Sequence, residues 1–253
     1  MNFQKVLSNK KLYFILSYFL LWIILFGFLI PANNFLPKPS IVLMSLSALW
    51  EDYHLAVNLI STFSTIYISV IIAYFLVYAI IKFIINENSF LFDFISSLSF
   101  FPKYIPDMVF GFFLIFWLPN SPITGFIFIT VIVFYSLIVK VHLESKKVKH
   151  EYIDTARALG SNKSIIARKV VWKAIGPSLI KYLLDSHTYL WSILIAFEFI
   201  KGGRGLGTIF KTALMYRDLS AMFTVTLIIG IVIYFTGFLL KYLKNKFFHW
   251  SNC

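Results

Sequence analysis

The stretch that decides the fold runs from residue 56 to residue 85 and reads AVNLISTFSTIYISVIIAYFLVYAIIKFII. Its one charged residue is Lys82, close to its end. A bilayer core of roughly 30 Å needs about 20 apolar residues in a helix, so this run is long enough to cross a membrane. Because the run is polar only at its start, is otherwise mostly apolar and does not alternate, it favours a helix over a barrel strand.

Further apolar runs of this kind predict an all-α membrane protein with about six transmembrane helices. The third run is too long for one straight span and contains Pro102 and Pro106. Proline inside a helix removes a hydrogen bond and kinks it, so we expect a short segment, a break and a remainder there. We also expect a short helix at the membrane surface within the external connection 31–55. The predicted spans are 12–30, 56–85, 90–118, 123–139, 179–200 and 221–240.

The composition excludes several classes of protein. Hydrophobic residues make up 59% of the chain and charged residues 13%, whereas soluble domains are about 25% charged. A soluble enzyme, a disordered chain and a nucleic-acid-binding domain are therefore excluded. The single cysteine, Cys253, cannot form an intrachain disulfide. The N-terminal segment 1–11 is basic and leads into an apolar run, which suggests a signal peptide. However, the run is long enough to cross a membrane and no A-x-A-like cleavage site follows it, which predicts a retained membrane anchor.

The distribution of positive charge predicts the orientation. The chain has a formal net charge of +12 and 23 Lys and Arg residues. With six spans, most of these residues lie on the side of both termini, and the densest group runs from Lys140 to Lys181. Because cytoplasmic loops carry the excess of Lys and Arg, both termini and the loop 141–178 are predicted to be cytoplasmic. Topology thus explains the charge, and no nucleic-acid partner is needed.

Polar residues on the fifth predicted span mark two of its faces. His187 and Glu198 share one face. Such a helix cannot lie against lipid, so it must pack against protein or line a water-filled path. Glu198 has either a structural or gating role or a contact with substrate. The other face, roughly opposite, carries four polar residues: Lys181, Asp185, Thr188 and Ser192. In one interpretation, Lys181 and Asp185 form an ion pair and simply pack.

The second predicted span carries a stripe of small polar residues: Asn58, Ser61, Thr62, Thr65 and Ser69. The stripe is typical of close helix packing, and pore lining is the alternative. Asp107, beside Pro106, is predicted either to cap the restarted helix or to face the path. Six residues of the second and fifth spans are candidates for the translocation path: Asn58, Thr65, Asp185, Thr188, Ser192 and Glu198.

The cytoplasmic loop contains the stretch EYIDTARALGSNKSIIARKVVWKAIGP, residues 151–177. It predicts two short helices with a break at 160–162. Gly160 can take the left-handed conformation that ends a helix, and Ser161 or Asn162 can cap the next one. A helix–turn–helix of this kind can dock onto a partner protein. The alternative is a basic segment attracted to anionic lipid, which would not call for a defined turn.

This stretch resembles the EAA loop of ABC-importer permeases of the nitrate, sulfonate and taurine type. The family pattern is Glu-Ala-Ala, three residues, Gly, nine residues, then Ile-x-Leu-Pro. Here 154–156, Gly160 and 170–173 keep that spacing, with Asp for Glu, Thr for the first Ala, Val for Ile, Trp172 for Leu and Lys173 for Pro. The resemblance covers roughly residues 35–240. Three other stretches are similar to the same family: 36–40, 106–117, and Glu198 with 203–207.

The resemblance implies a type I ABC importer permease fold, with 1–253 as a single transmembrane domain. It implies a bacterial inner-membrane subunit that pairs with a second permease copy in the lipid bilayer. It also implies an extracytoplasmic solute-binding protein and a small anion or small organic nutrient as substrate. A separate ABC ATPase subunit would dock on the loop 141–178. The implied contacts are Asp154, Thr155, Ala156, Leu159 and Gly160.

The sequence predicts no enzyme activity, no catalytic residues, no metal site and no cofactor in this chain. It contains no G-x-x-x-x-G-K-[ST] phosphate loop, so ATP is expected on the partner subunit. An intramembrane metalloenzyme would need clustered histidines or acids, and of five histidines only His187 lies well inside a predicted span. The main alternative is a secondary transporter or channel without an ATPase partner.

Overall fold

The computed structural model describes residues 3–30, 36–85, 90, 94, 97, 104–118, 121 and 123–247. Within these ranges the regular elements are helices, which confirms the all-α prediction. In chain order they are α1 (Phe3–Ile24) with a π-helical turn (Leu25–Leu29), α2 (Pro39–Glu51), α3 (Leu55–Ile85), α4 (Asp107–Trp117), α5 (Ile123–Ser145), α6 (His150–Ala158), α7 (Lys163–Ile165), a second π-helical segment (Ile166–Val171), α8 (Trp172–Lys201), α9 (Leu206–Met215) and α10 (Leu219–Phe247).

Each predicted span contains helix in its described part. Of the described helices, α3, α5 and α10 are long and apolar enough to cross a bilayer. Shorter apolar helices are Leu16–Leu29, α4 and α9. The 30-residue helix α8 covers the fifth predicted span and is less apolar, because charged side chains interrupt it.

The third predicted span resumes after a proline. Pro106 has φ −56° and ψ 138°, and α4 begins at the next residue. A proline ring disfavours the helical conformation in the residue before it, which here is Ile105. A helix can therefore restart only at the proline or after it. This agrees with the predicted break, and Pro102 lies outside the described residues.

The external connection contains the predicted short helix. Helix α2 begins at Pro39, where the missing N–H costs nothing because the first N–H groups of a helix have no partner within it. It buries Val42, Ser45 and Leu49. The position of this helix at the membrane surface stays a prediction.

Contacts between residues divide the chain into two compact units, Met1–Ala56 with Ile209–Gly230, and Val57–Thr208 with Ile231–Cys253. In the first unit, the hydroxyls of Ser45 and Thr224 lie 2.5 Å apart. The Tyr53 hydroxyl donates to Asp218 Oδ2 at 3.0 Å. Burial, then this hydrogen bond and the Asp218 charge, raise the pKa of Tyr53 to about 12. These bonds tie α2 and the turn after it to the start of α10.

In the second unit, aromatic stacking joins three helices. The rings of Phe128 on α5 and Phe197 on α8 stack with centroids 4.3 Å apart. Gly111 on α4 faces both rings, and a Cβ at this position would lie 3.0 Å from each. Because Gly111 has no side chain, α4 packs directly on this stack. The stack therefore holds α4, α5 and α8 together.

Candidate translocation path and coupling loop

Glu198, near the end of α8, is a buried carboxylate with several hydrogen-bond partners. The Thr62 hydroxyl lies 2.9 Å from Oε1 and 2.8 Å from Oε2, and the Gly207 N–H donates to Oε2 at 3.1 Å. The Leu206 N–H donates to the Thr62 hydroxyl at 2.8 Å. The first N–H groups of a helix have no partner within it, and negative charge is favourable there. Glu198 and Thr62 therefore anchor the start of α9.

The loop between α8 and α9 is held against the same carboxylate. Gly205 has φ +127°, a conformation that side chains disfavour. A Cβ at Gly205 would overlap the Glu198 carboxylate. The Gly205 N–H donates to Asn58 Oδ1 at 2.8 Å. Asn58, predicted as a path residue, thus binds the loop, and the geometry supports the structural interpretation of Glu198.

A cavity of about 780 Å³ lies beside this anchor. Residues of α3, α5, the end of α8 and the following loop line it. It brings together two of the predicted path residues, Thr65 and Glu198. Lys201 and Arg204, the two basic residues of its lining, were not among the sequence candidates, because they follow the apolar part of the predicted span and show no periodic pattern. The other polar lining residues are Ser61, Ser64, Lys201 and Arg204.

The remaining path candidates lie on another face of α8. Asp185, Thr188 and Ser192 are all exposed. Lys181 is exposed on the same face, and in the described part of the chain no ion pair joins it to Asp185, so that predicted pairing is absent. The structure therefore separates the six candidates into an exposed polar face and residues around the cavity. Their contact with substrate stays a prediction.

Asp107 links three helices. Its carboxylate accepts hydrogen bonds from Tyr135 on α5 and Tyr189 on α8. No side-chain cap forms at the start of α4, where every residue is described, so the capping interpretation is wrong. Tyr189 adjoins Thr188 and is 47% exposed, so Asp107 lies close to the exposed polar face. The sequence holds no signal for this cluster, because its members are far apart along the chain.

His187 is a buried junction between α3, α8 and α10. Its Nε2 lies 2.8 Å from the Tyr67 hydroxyl, 3.2 Å from Trp191 Nε1 and 3.2 Å from the Thr236 hydroxyl. An indole N–H can only donate, so Nε2 accepts and the ring proton lies on Nδ1. The imidazole is therefore neutral, and its place among three helices is that of a packing residue.

The predicted first short helix and the turn after it are present in the loop, but the predicted second short helix is not separate, because helical residues continue from Lys163 through the π-helical segment into α8. After α6, the Ser161 N–H donates to the Ala156 carbonyl at 3.0 Å and the Gly160 N–H to the Arg157 carbonyl at 2.9 Å. With Gly160 at φ +78°, these bonds form a Schellman motif. Asn162 Oδ1 accepts from the Ile165 N–H at 2.9 Å and caps the next helix. The sequence prediction of a glycine stop followed by a cap is confirmed.

The tip of this loop presents apolar side chains. Leu159 is 81% exposed and Tyr152 55% exposed. Asp154 pairs with Arg157 at 3.2 Å, and both side chains are about two-thirds exposed, so the pair adds little stability. The Thr155 hydroxyl donates to a carbonyl of its own helix. In sequence, these two exposed apolar side chains lie on either side of the Asp154–Arg157 pair.

The base of the loop is anchored to α3. The Trp172 ring packs against Tyr74 and Tyr78, with centroids 5.0 Å and 5.1 Å apart. The Arg168 guanidinium lies 5.8 Å from the centre of the Tyr78 ring. From the sequence alone, Trp172 is only a departure from the EAA pattern, because its tyrosine partners are about a hundred residues away. This packing gives the loop a rigid connection to the membrane helices.

The model of one protein family matches most of the chain. The family is described as binding-protein-dependent transport system inner membrane component, and it matches residues 79–249, more than half of the chain. The match includes the helix–turn–helix, α8 and α10. No curated protein matches the chain at a significant level.

Proposed function

Because the chain belongs to the family of binding-protein-dependent transport system inner membrane components, the transmembrane subunits of ABC importers, we propose that it forms a translocation path and couples it to a separate ATPase. The family has the predicted type I permease fold and is a transport component, not an enzyme. The proposed substrate is a small anion or a small organic nutrient. An extracytoplasmic binding protein delivers it, and both termini of the chain lie in the cytoplasm.

One observation carries the coupling: the exposed tip of the helix–turn–helix has a rigid base. Leu159 stands out from the turn, while Trp172 is packed against tyrosines of α3. A push on such a tip moves the helices behind it, because packed interiors transmit displacement. A flexible basic segment that binds lipid would need neither the Schellman turn nor the aromatic base.

The exposed polar face of α8 supports pairing with a second permease copy. Asp185, Thr188 and Ser192 are too polar to face lipid. They are exposed in the single chain. A second copy placed against this face would cover it and enclose a polar path between the two chains.

A photo-crosslinking experiment tests the proposal. A photoreactive amino acid replaces Leu159, and in a control variant it replaces Met215, which is 76% exposed and lies on the external side in the predicted topology. After irradiation of cells of the native host, Leu159 should capture a protein that carries Walker motifs, and Met215 should not. Failure of Leu159 to capture such a protein, with the chain inserted at normal levels, would contradict ATPase docking at this loop.

A further inference from the structure

The cavity beside Glu198 has the size of a ligand site, and polar and apolar residues contribute about equally to its lining. Its volume of about 780 Å³ falls in the usual range of about 300–1,000 Å³ for small-molecule sites. Its walls include Ile60, Phe126 and Phe197. Such sites combine mostly apolar walls with a few polar groups that fix orientation. The polar groups here therefore determine what kind of ligand fits.

Positive charge exceeds negative charge around the cavity. Lys201 and Arg204 both line it, and neither forms an ion pair in the part of the chain that the structure describes. The Lys201 Nζ lies 3.8 Å from the Cβ position of Gly203, so the ammonium sits over the loop. Lys201 interacts with the charge of Glu198, whose oxygens accept from Thr62 and a backbone N–H. The lining thus carries two cationic side chains and one carboxylate, and the carboxylate is hydrogen-bonded to Thr62 and to the Gly207 N–H.

Hydroxyl groups complete the polar lining on the α3 side. Ser61 and Ser64 both line the cavity. The Ser64 hydroxyl donates to the Ser61 carbonyl at 3.0 Å, whereas the Ser61 hydroxyl forms no hydrogen bond within the described residues and can donate to a ligand. Ammonium, guanidinium and hydroxyl donors around one space match an oxyanion, because charge-assisted bonds to phosphate or carboxylate groups are the strong ones.

We propose that this cavity binds the oxyanion group of a partly apolar acid. Lys201 and Arg204 hold the carboxylate, sulfonate or phosphate, Ser61 donates to it, and the apolar walls contact the rest of the molecule. Such a group has two sources: a soluble acid, or the headgroup of an acidic phospholipid. The soluble source rests on the proposed import function, whereas binding itself does not require an ATPase.

Binding to the purified chain, without any ATPase, tests this site. The soluble probe is benzenesulfonate, titrated by calorimetry in neutral detergent. The lipid probe is phosphatidylglycerol, mixed equally with phosphatidylcholine in nanodiscs and measured by native mass spectrometry. The test variant is Lys201→Gln/Arg204→Gln. The matched control is Lys38→Gln/Arg217→Gln, which removes the same charge elsewhere on the predicted external side.

Saturable benzenesulfonate binding, weakened about tenfold or more in the test variant alone, supports the site with a soluble source, since two charge-assisted contacts are lost. Retention of phosphatidylglycerol that the test variant alone loses supports it with a lipid source. Absence of both, or equal loss in the test and control variants, overturns it. Either overturning result leaves ATPase docking at Leu159 untouched, so failure of this site and failure of the coupling proposal are distinguishable.

Discussion

Replacing Gly205 by alanine should lower the free energy of unfolding far more than the same change at Gly203. Both glycines have positive φ, +127° and +95°, so both variants incur backbone strain of about 1–3 kcal/mol. Beyond strain, the two positions differ. A Cβ at Gly205 overlaps the Glu198 carboxylate, whereas a Cβ at Gly203 has only the Lys201 Nζ nearby, at 3.8 Å.

The extra cost at Gly205 follows from the bonds that the carboxylate must give up. Moving Glu198 away breaks its hydrogen bonds with Thr62 and with the Gly207 N–H. A hydrogen bond to a charged group contributes about 1.5–3 kcal/mol. Two such bonds at the lower end give about 3 kcal/mol, roughly a 100-fold shift in the unfolding equilibrium.

The assay is unfolding in mixed micelles of neutral detergent and SDS, followed by tryptophan fluorescence. Gly205→Ala should unfold at a clearly lower SDS fraction than Gly203→Ala, and Gly203→Ala should lie closer to the native chain. Equal destabilisation of the two variants would refute the argument, because it would mean that only backbone strain matters and that the Glu198 carboxylate does not hold the loop.

Three further predictions concern the same helices. Thr62→Val should lower the free energy of unfolding by about 1–3 kcal/mol, since it removes the hydroxyl's hydrogen bond to the Glu198 carboxylate and the acceptor of the Leu206 N–H, whereas Thr65→Val, without a bond to this loop, should cost less in the same assay. His187→Leu should also cost about 1–3 kcal/mol, because the buried Trp191 N–H loses its acceptor; a near-native unfolding midpoint would contradict the hydrogen bond between Trp191 and His187. In a chain whose own cysteine is replaced, a cysteine at Ser145 should resist an impermeant maleimide in intact cells and one at Asn33 should react; the reverse would overturn the topology.

The helices could be predicted well from the sequence because their signal is local. The apolar runs, the proline at 106 and the glycine at 160 each act on their own neighbours along the chain. The Schellman turn at Gly160 and the cap at Asn162 follow from backbone preferences that any one stretch reveals. The same is true of the start of α2 at Pro39.

The candidate site could be predicted only in part because its geometry depends on distant pairs. In the sequence, Asn58 and Glu198 are recognisable as polar residues within predicted spans. Their role in holding the loop between α8 and α9 depends on the contact of α3 with the start of α9, and no local sequence pattern encodes that contact. The hydrogen bonds of Asp107 with Tyr135 and Tyr189 likewise join residues that are far apart along the chain. Lys201 and Arg204 give no signal, since basic residues at the end of a helix and in the loop after it are usually solvated.

The most direct test of the coupling mechanism is substrate-stimulated ATP hydrolysis by the reconstituted complex, measured with and without loaded binding protein. Gly160 has open space around its Cβ position, so a side chain there acts through φ alone. Gly160→Val should abolish the stimulation with the complex intact, whereas Gly160→Asn should retain most of it, because asparagine tolerates the left-handed conformation. Lys173→Ala should have little effect. Normal stimulation in Gly160→Val would contradict the mechanism and favour a loop that only binds lipid.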